Sequence, residues 1–130
     1  MTEVTTLLRE HVDVRQIEGE PRRRWFLDDA IDLIVWFGVE DEIIGFQLCY
    51  DKHRDQRALT WHRDRGWRHD RVSDGEGRFG APKQSPVLVA DGMCDYVALA
   101  KLFGERCREI DDKISAFVLD KITELQRREG

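Results

Sequence analysis

Apolar and polar residues alternate through much of the first two-thirds of the chain, and apolar residues recur at three- and four-residue spacing only near its end. A period of two marks strands buried on one face, and a period near 3.6 marks amphipathic helices. Arg22 to Leu27 reads as a strand, Asp28-Asp29 interrupts it, and Ile31 to Val39 and Ile43 to Tyr50 are the strongest apolar runs. Arg57 to Arg63 and a segment through Trp67 and His69 continue the pattern. Upstream, Thr5 to His11 can form a short helix capped by Thr5 or Thr6, and Val12 to Ile17 extends toward a turn at Gly19-Glu20-Pro21. Downstream, Ser73 to Pro86 reads as a loop ending at a short apolar run, Val87 to Ala90, before a turn at Asp91-Gly92. Tyr96, Leu99, Ala100, Phe103 and Cys107 then predict a helix with Asp95 as N-cap. Ile114, Phe117, Val118, Ile122 and Leu125 predict a second, starting at Asp111 or Asp112 and ending on Arg127 and Arg128, which suit the helix dipole.

Register decides which side chains share a face, because a slip of one residue turns every side chain over. With Asp41-Glu42 as a two-residue hairpin loop, Phe37 faces Phe46, Val35 faces Leu48 and Leu33 faces Tyr50. A one-residue shift would set Val35 against Gln47 and Leu33 against Cys49, mixing apolar and polar residues on both faces. The next strand then places Leu59 and Trp61 with Tyr50 and Leu48, and sends Thr60 and His62 beside Cys49 and Gln47. A loop from Arg63 to Gly66 brings Trp67 opposite His62 and His69 opposite Thr60. The predicted fold is a single α+β domain over residues 1–130, an antiparallel β-meander of four to five strands with two C-terminal α-helices packed on its apolar face. The opposite, mixed face is left over. It carries Trp36 and Trp67, whose apolar area costs roughly 25 cal/mol per Å² to leave in water, so the 73–86 loop, a second subunit or a ligand should cover it.

Composition narrows the class. With 130 residues, 41% of them hydrophobic and 36% charged, the chain can bury a core without disulfides or a structural metal. No apolar run approaches the roughly 18 residues of a membrane span, and Met1 to Val14 lacks the apolar centre of a secretory signal, so a cytoplasmic protein with no membrane association is expected. Cys49, Cys94 and Cys107 are odd in number and form no CxxC pair, which points to reduced thiols. The net charge of -5 argues against general affinity for nucleic acid, although Lys52 to Arg78 is locally basic, with eight Lys/Arg against five Asp/Glu.

All four tryptophans and three of the four histidines fall between Arg23 and Asp74, so the candidate chemistry lies there. Gly75-Glu76-Gly77-Arg78-Phe79-Gly80 matches G-x-G-x-x-G, but Ala81-Pro82-Lys83-Gln84-Ser85-Pro86 cannot open the helix that would face a pyrophosphate. The projected mixed face gathers Asp32, Gln47, Cys49, Asp51, Thr60, His62 and His69; imidazoles beside carboxylates suit a divalent ion or a general base, yet the interval between His62 and His69 is no ligand signature and ordinary polar pairing explains the set as well. Cys49, between Leu48 and Tyr50, reads as a small buried thiol rather than a nucleophile. Tryptophans near Arg57, Arg63, Arg65, Arg68 and Arg71 resemble a single-stranded nucleic-acid platform, but Asp55, Asp64 and Asp70 dilute its field.

Arg24-Trp25-Phe26, Asp32-Leu33, Val35-Trp36, Gly45-Phe46-Gln47-Leu48-Cys49-Tyr50-Asp51, Ala58-Leu59-Thr60-Trp61 and Asp74-Gly75-Glu76 together resemble a family of small uncharacterised bacterial proteins. The resemblance covers most of residues 15–92 and implies a bacterial cytoplasmic setting; it carries over no activity, cofactor or functional residue. In such proteins a glycine-containing turn is expected where Asp41-Glu42 stands here. The sequence therefore points to a binding or interaction module using Trp36, Gln47, Cys49, Asp51, His62, Trp67 and His69, with no cofactor and no metal, and with a homodimer as the simplest partner because exposed tryptophans favour interfaces. A metal-dependent or acid-base enzyme using His62, His69, Asp32 and Asp51 is the alternative, and single-stranded nucleic-acid binding a further one.

Overall fold

The computed structural model describes residues 7–11, 15–52, 56–72, 88–90 and 95–129. Strands β1 (Arg9–Glu10), β2 (Arg22–Leu27), β3 (Asp32–Phe37), β4 (Ile43–Tyr50), β5 (Arg57–His62), β6 (Gly66–Val72) and β7 (Leu88–Ala90) precede helices α1 (Tyr96–Arg106) and α2 (Asp112–Glu129). Each strand pairs antiparallel with the next in sequence, so the sheet is an up-and-down meander. Among the described residues it has six strands of three residues or more plus the two-residue edge β1, rather than four to five. The extra strands are short pieces at the sheet's ends, where too few residues alternate to betray a strand. Arg9–Glu10, expected in a helix, instead pairs with Leu27 and Phe26. The proposed caps Thr5 and Thr6, Val12 to Val14, the 73–86 loop with its glycine motif, and the Asp91-Gly92 turn lie outside the described residues.

One face of the sheet and the inner sides of both helices form the core. Phe26, Leu33, Val35, Phe46 and Leu48 are fully buried, as are Phe103 on α1 and Val118 and Ile122 on α2. Phe117 of α2 meets Phe46 edge-on at 6.5 Å between ring centroids and Trp61 at 5.4 Å, and the Lys121 ammonium sits 4.4 Å above the Trp61 ring. Trp61 thus belongs to the core side, as its alternation predicts. Asp95 caps α1 by accepting from the Ala98 N–H at 3.0 Å. Asp111 caps α2, accepting from the Lys113 N–H at 2.8 Å, and the Arg24 guanidinium beside it bonds Glu10 on the other side. Both carboxyls are held below their usual range, Glu10 chiefly by its bond to Arg24 and Asp111 chiefly by the Lys113 N–H.

The β3–β4 hairpin is not the two-residue turn the sequence suggests. The Asp41 N–H bonds the Gly38 carbonyl at 3.0 Å and the Gly38 N–H bonds the Glu42 carbonyl at 2.8 Å, which closes a loop over Val39, Glu40 and Asp41. Asp41 takes the left-handed φ of 67° that such a loop requires, and aspartate tolerates it better than most residues. A bulge follows on β4, where Ile44 is the extra residue opposite the Trp36–Phe37 step, so Phe37 pairs with Ile43, while Trp36 pairs with Gly45, Val35 with Phe46 and Leu33 with Leu48. The true register differs from the expected one by two residues along the regular ladder. An even shift changes partners but preserves faces, which is why the apolar face was legible all the same. The β4–β5 ladder carries the same displacement, with Leu48 opposite Leu59 and Gln47 opposite Thr60.

Asp28 ties the β2–β3 turn to α1. Its Oδ1 accepts from the Ala30 and Ile31 N–H groups at 2.7 and 2.8 Å, and its Oδ2 accepts from Arg106 at 2.9 Å, with the carboxylate only 1% exposed. Removing one partner of such a buried pair strands the other. Asp28→Ala should lower the unfolding free energy in urea by about 3–5 kcal/mol, whereas Asp29→Ala, on the exposed side of the same arginine, should change it by less than about 1 kcal/mol.

Candidate functional site

The mixed face is built by register. Arg23, Trp36, Gly45, His62 and Gly66 lie in one row across β2 to β6, and Trp25, Ile34, Gln47, Thr60 and Arg68 lie in the next. Adjacent strands are about 4.8 Å apart, so Trp36 and His62 stand roughly 10 Å from each other with only a glycine between them. The result is a groove of about 720 Å³, within the roughly 300–1,000 Å³ range of small-ligand sites. Trp36, Ile44, Gln47, Thr60 and His62 form its centre. Glu20 and Pro21 lie at its β2 end, and Arg65, Gly66 and Arg68 at its β6 end.

Gly45 makes this groove possible. A Cβ there would stand 2.9 Å from the Trp61 carbonyl and 3.2 Å from Cδ2 of His62, so any side chain would push the imidazole away. Glycine inside a strand often marks such a close approach, and Gly45 in the run Gly45-Phe46-Gln47-Leu48 is the signal that could have located the groove floor. Ile44, nearly buried at 7% exposure, enters the groove because the bulge displaces it from regular alternation. No period-two reading could have found it.

Four of the expected residues keep to the mixed face. Gln47 Nε2 donates to Thr60 Oγ1 at 3.1 Å, and the Cys49 thiol lies 3.8 Å from Gln47 Oε1. Burial, and secondarily the charge of Asp32, pushes the Cys49 thiol from its ordinary 9.0 up to about 12, so it is a protonated donor at neutral pH and no nucleophile. His62 Nδ1 accepts from the Asp64 N–H at 3.1 Å, which leaves the neutral ring's proton on Nε2. Trp36, half-buried, walls the groove.

The other three do not join them in the expected way. Trp61 pairs with Trp67, and Leu59 with His69, a one-residue difference from the expected β5–β6 register that turns both over to the helix side. Arg65 N–H bonding the His62 carbonyl and Gly66 at a φ of 80° make the connection tighter than the expected four-residue loop. The Trp67 ring meets Phe46 edge-on at 6.0 Å, so Trp67 touches the groove only at its rim. His69 Nε2 and the Tyr50 hydroxyl are 2.6 Å apart, with the rings stacked. Asp51 is exposed in a left-handed turn beyond β4, and Asp32 is occupied by Lys52 at 2.6 Å. The proposed enzyme residues His62, His69, Asp32 and Asp51 therefore do not converge, and among the described residues no three His, Cys, Asp or Glu side chains gather as metal ligands would.

Nor do the arginines form one cationic track. Arg57 shares the helix-side face with Tyr50, Arg63 pairs with Glu42 at 3.0 Å, and Arg68 pairs with the fully buried Asp70 at 2.5 Å. Arg65 makes no ion pair among the described residues. Trp25, which alternation alone left without a place, lies on the mixed face against His11 at 5.5 Å, and its buried indole N–H has no partner among the described residues. No described helix is long and apolar enough to cross a membrane. No protein-family model, curated protein or solved structure matches the chain.

Gly45→Ala should displace the His62 ring, shifting its imidazole resonances in NMR, and should destabilise the fold by about 1–3 kcal/mol as an overpacked site. Cys49 ionises in the unfolded chain near 9 but in the folded protein only near 12, so its contribution to stability is present below pH 9 and lost as pH rises toward 12. Native Cys49 should accordingly resist alkylation at pH 8, as read by peptide mass mapping, and react fully once the chain is unfolded in urea.

Proposed function

We propose that the protein is a small binding module whose ligand lies in the groove between Trp36 and His62. The observation that carries this reading is the Gly45 floor: a large aromatic and an imidazole on alternate strands, with the intervening side chain missing, leave room for a planar group. A second copy of the chain is the competing occupant. It is disfavoured because Trp67, expected to share the exposed apolar area, is already packed on Phe46, which leaves Trp36 as the main apolar wall. A stable dimer usually buries about 800 Å² on each partner, far more than one tryptophan offers. Acid-base or metal chemistry is disfavoured by the separation of His62 from His69 onto opposite faces, and nucleic-acid binding by the pairing of Arg63 and Arg68 with carboxylates. A bacterial setting, carried by the family resemblance, and a cytoplasmic location belong with this proposal.

The test is a screen of small aromatic acids, amines and neutral amides by amide and indole NMR, combined with sedimentation. Binders should move the Trp36 indole N–H and the Gly45 and Thr60 amides while the protein stays monomeric, and Trp36→Ala should abolish the Gly45 and Thr60 shifts while changing stability by less than about 1 kcal/mol. Concentration-dependent dimerisation that protects the same resonances, with no binder found, would transfer the face to a second copy.

A further inference from the structure

The groove's polar centre is rich in donors. The protonated Cys49 thiol points at Gln47 Oε1, which directs the amide nitrogen of Gln47 toward Thr60, whose Oγ1 accepts one of its two protons. Thr60, accepting there, has its own hydroxyl proton left to give. His62, accepting from the Asp64 N–H through Nδ1, offers Nε2–H. Gln47, Thr60 and His62 thus each have an N–H or O–H left to give at the groove, and the one carboxylate among its described lining side chains, Glu20, lies at the far end. The charges are also ordered along the groove. Glu20 lies before β2 and Arg65 just before β6, four strand spacings or about 19 Å across the sheet, so the cationic end is the one beside His62 and Thr60.

From this polarity we infer that the ligand is a small aromatic carboxylate. This assignment rests on the groove being a binding site and adds which chemistry it selects. The ring stacks on Trp36 above Gly45, where an offset face-to-face or edge contact is available. The carboxylate accepts from Thr60, His62 and Gln47 and faces Arg65, the exposed guanidinium that makes no ion pair among the described residues. A carboxylate satisfies all of these donors because it only accepts. An amine bearing the same ring would set donor against donor, and a neutral amide would satisfy part of the set without answering the charge of Arg65.

Three probes with one ring separate these cases: indole-3-acetate, indole-3-acetamide and tryptamine, titrated against the full chain with Trp36, Gly45 and His62 resonances as the readout. Indole-3-acetate should bind at least about tenfold more tightly than the amide, as expected for hydrogen bonds to a charged acceptor, and tryptamine more weakly still. Arg65→Ala, at an exposed position, should reduce the acetate-to-amide ratio severalfold by weakening acetate binding, and Thr60→Val should weaken both probes, the acetate more than the amide. Equal affinity for the three probes at these resonances, or a preference for tryptamine, would overturn the carboxylate assignment and leave the groove as a binding site. Failure of all three while a different fragment binds would also overturn it, again without touching the binding reading.

Discussion

The three-residue turn at Val39, Glu40 and Asp41 governs more of this molecule than its size suggests. Asp41 accepts a left-handed backbone, its N–H closes on Gly38, and Arg22 from the neighbouring strand holds its carboxylate. With the bulge that follows, this turn sets Val35 against Phe46 and Trp36 against Gly45. The pairing of β5 with β6 is set in turn by its own connection, and together the pairings align Trp36, Gly45 and His62 in one row. Had Asp41-Glu42 closed a two-residue loop, Gly45 would no longer stand between Trp36 and His62, and the groove would be filled.

Core and groove are consequences of one alternation read on its two sides. Phe46 is fully buried under Phe117, and its neighbours Gly45 and Gln47 are therefore turned outward to become floor and donor. Positions that look unremarkable from the groove are held in place by the helices behind them. Trp61 makes the link plain: its ring lies under Phe117 and Lys121, while its carbonyl is the backbone atom that a side chain at position 45 would strike. Strain introduced on either side of the sheet should be felt on the other, since interiors are packed too densely to absorb it locally.

Hydrogen-bond direction matters more on this face than residue type. A list containing glutamine, threonine, histidine and cysteine suggests almost any chemistry, from metal binding to proton transfer. Buried Cys49 stays protonated, Gln47 turns accordingly, and the Asp64 N–H chooses the tautomer of His62, so the list resolves into a set of donors. The same reasoning removes His69 from consideration, because its Nε2 is already engaged with the Tyr50 hydroxyl behind the sheet.

Much of this fold is legible in the order of the residues. The period of two places Leu33, Val35, Phe46, Leu48 and Trp61 on the buried side, and Trp36, Gln47, Thr60 and His62 on the other; the period of 3.6 with Asp95 and Asp111 as caps marks both helices. Those features depend only on neighbours along the chain. Partners across the sheet do not, since apolar alternation is unchanged by a shift of two residues and cannot choose between registers that preserve it. Trp67 and His69 changed faces because the β5–β6 turn was one residue tighter than composition suggested, and a slip of one is the kind that alternation punishes only when both faces differ strongly in polarity. Tryptophan and histidine, each at home on either face, supply no such penalty. The sequence by itself thus determined which residues could line a site, while the tertiary structure decided which of them meet, because turn geometry and a single bulge set a register to which hydrophobic burial is indifferent.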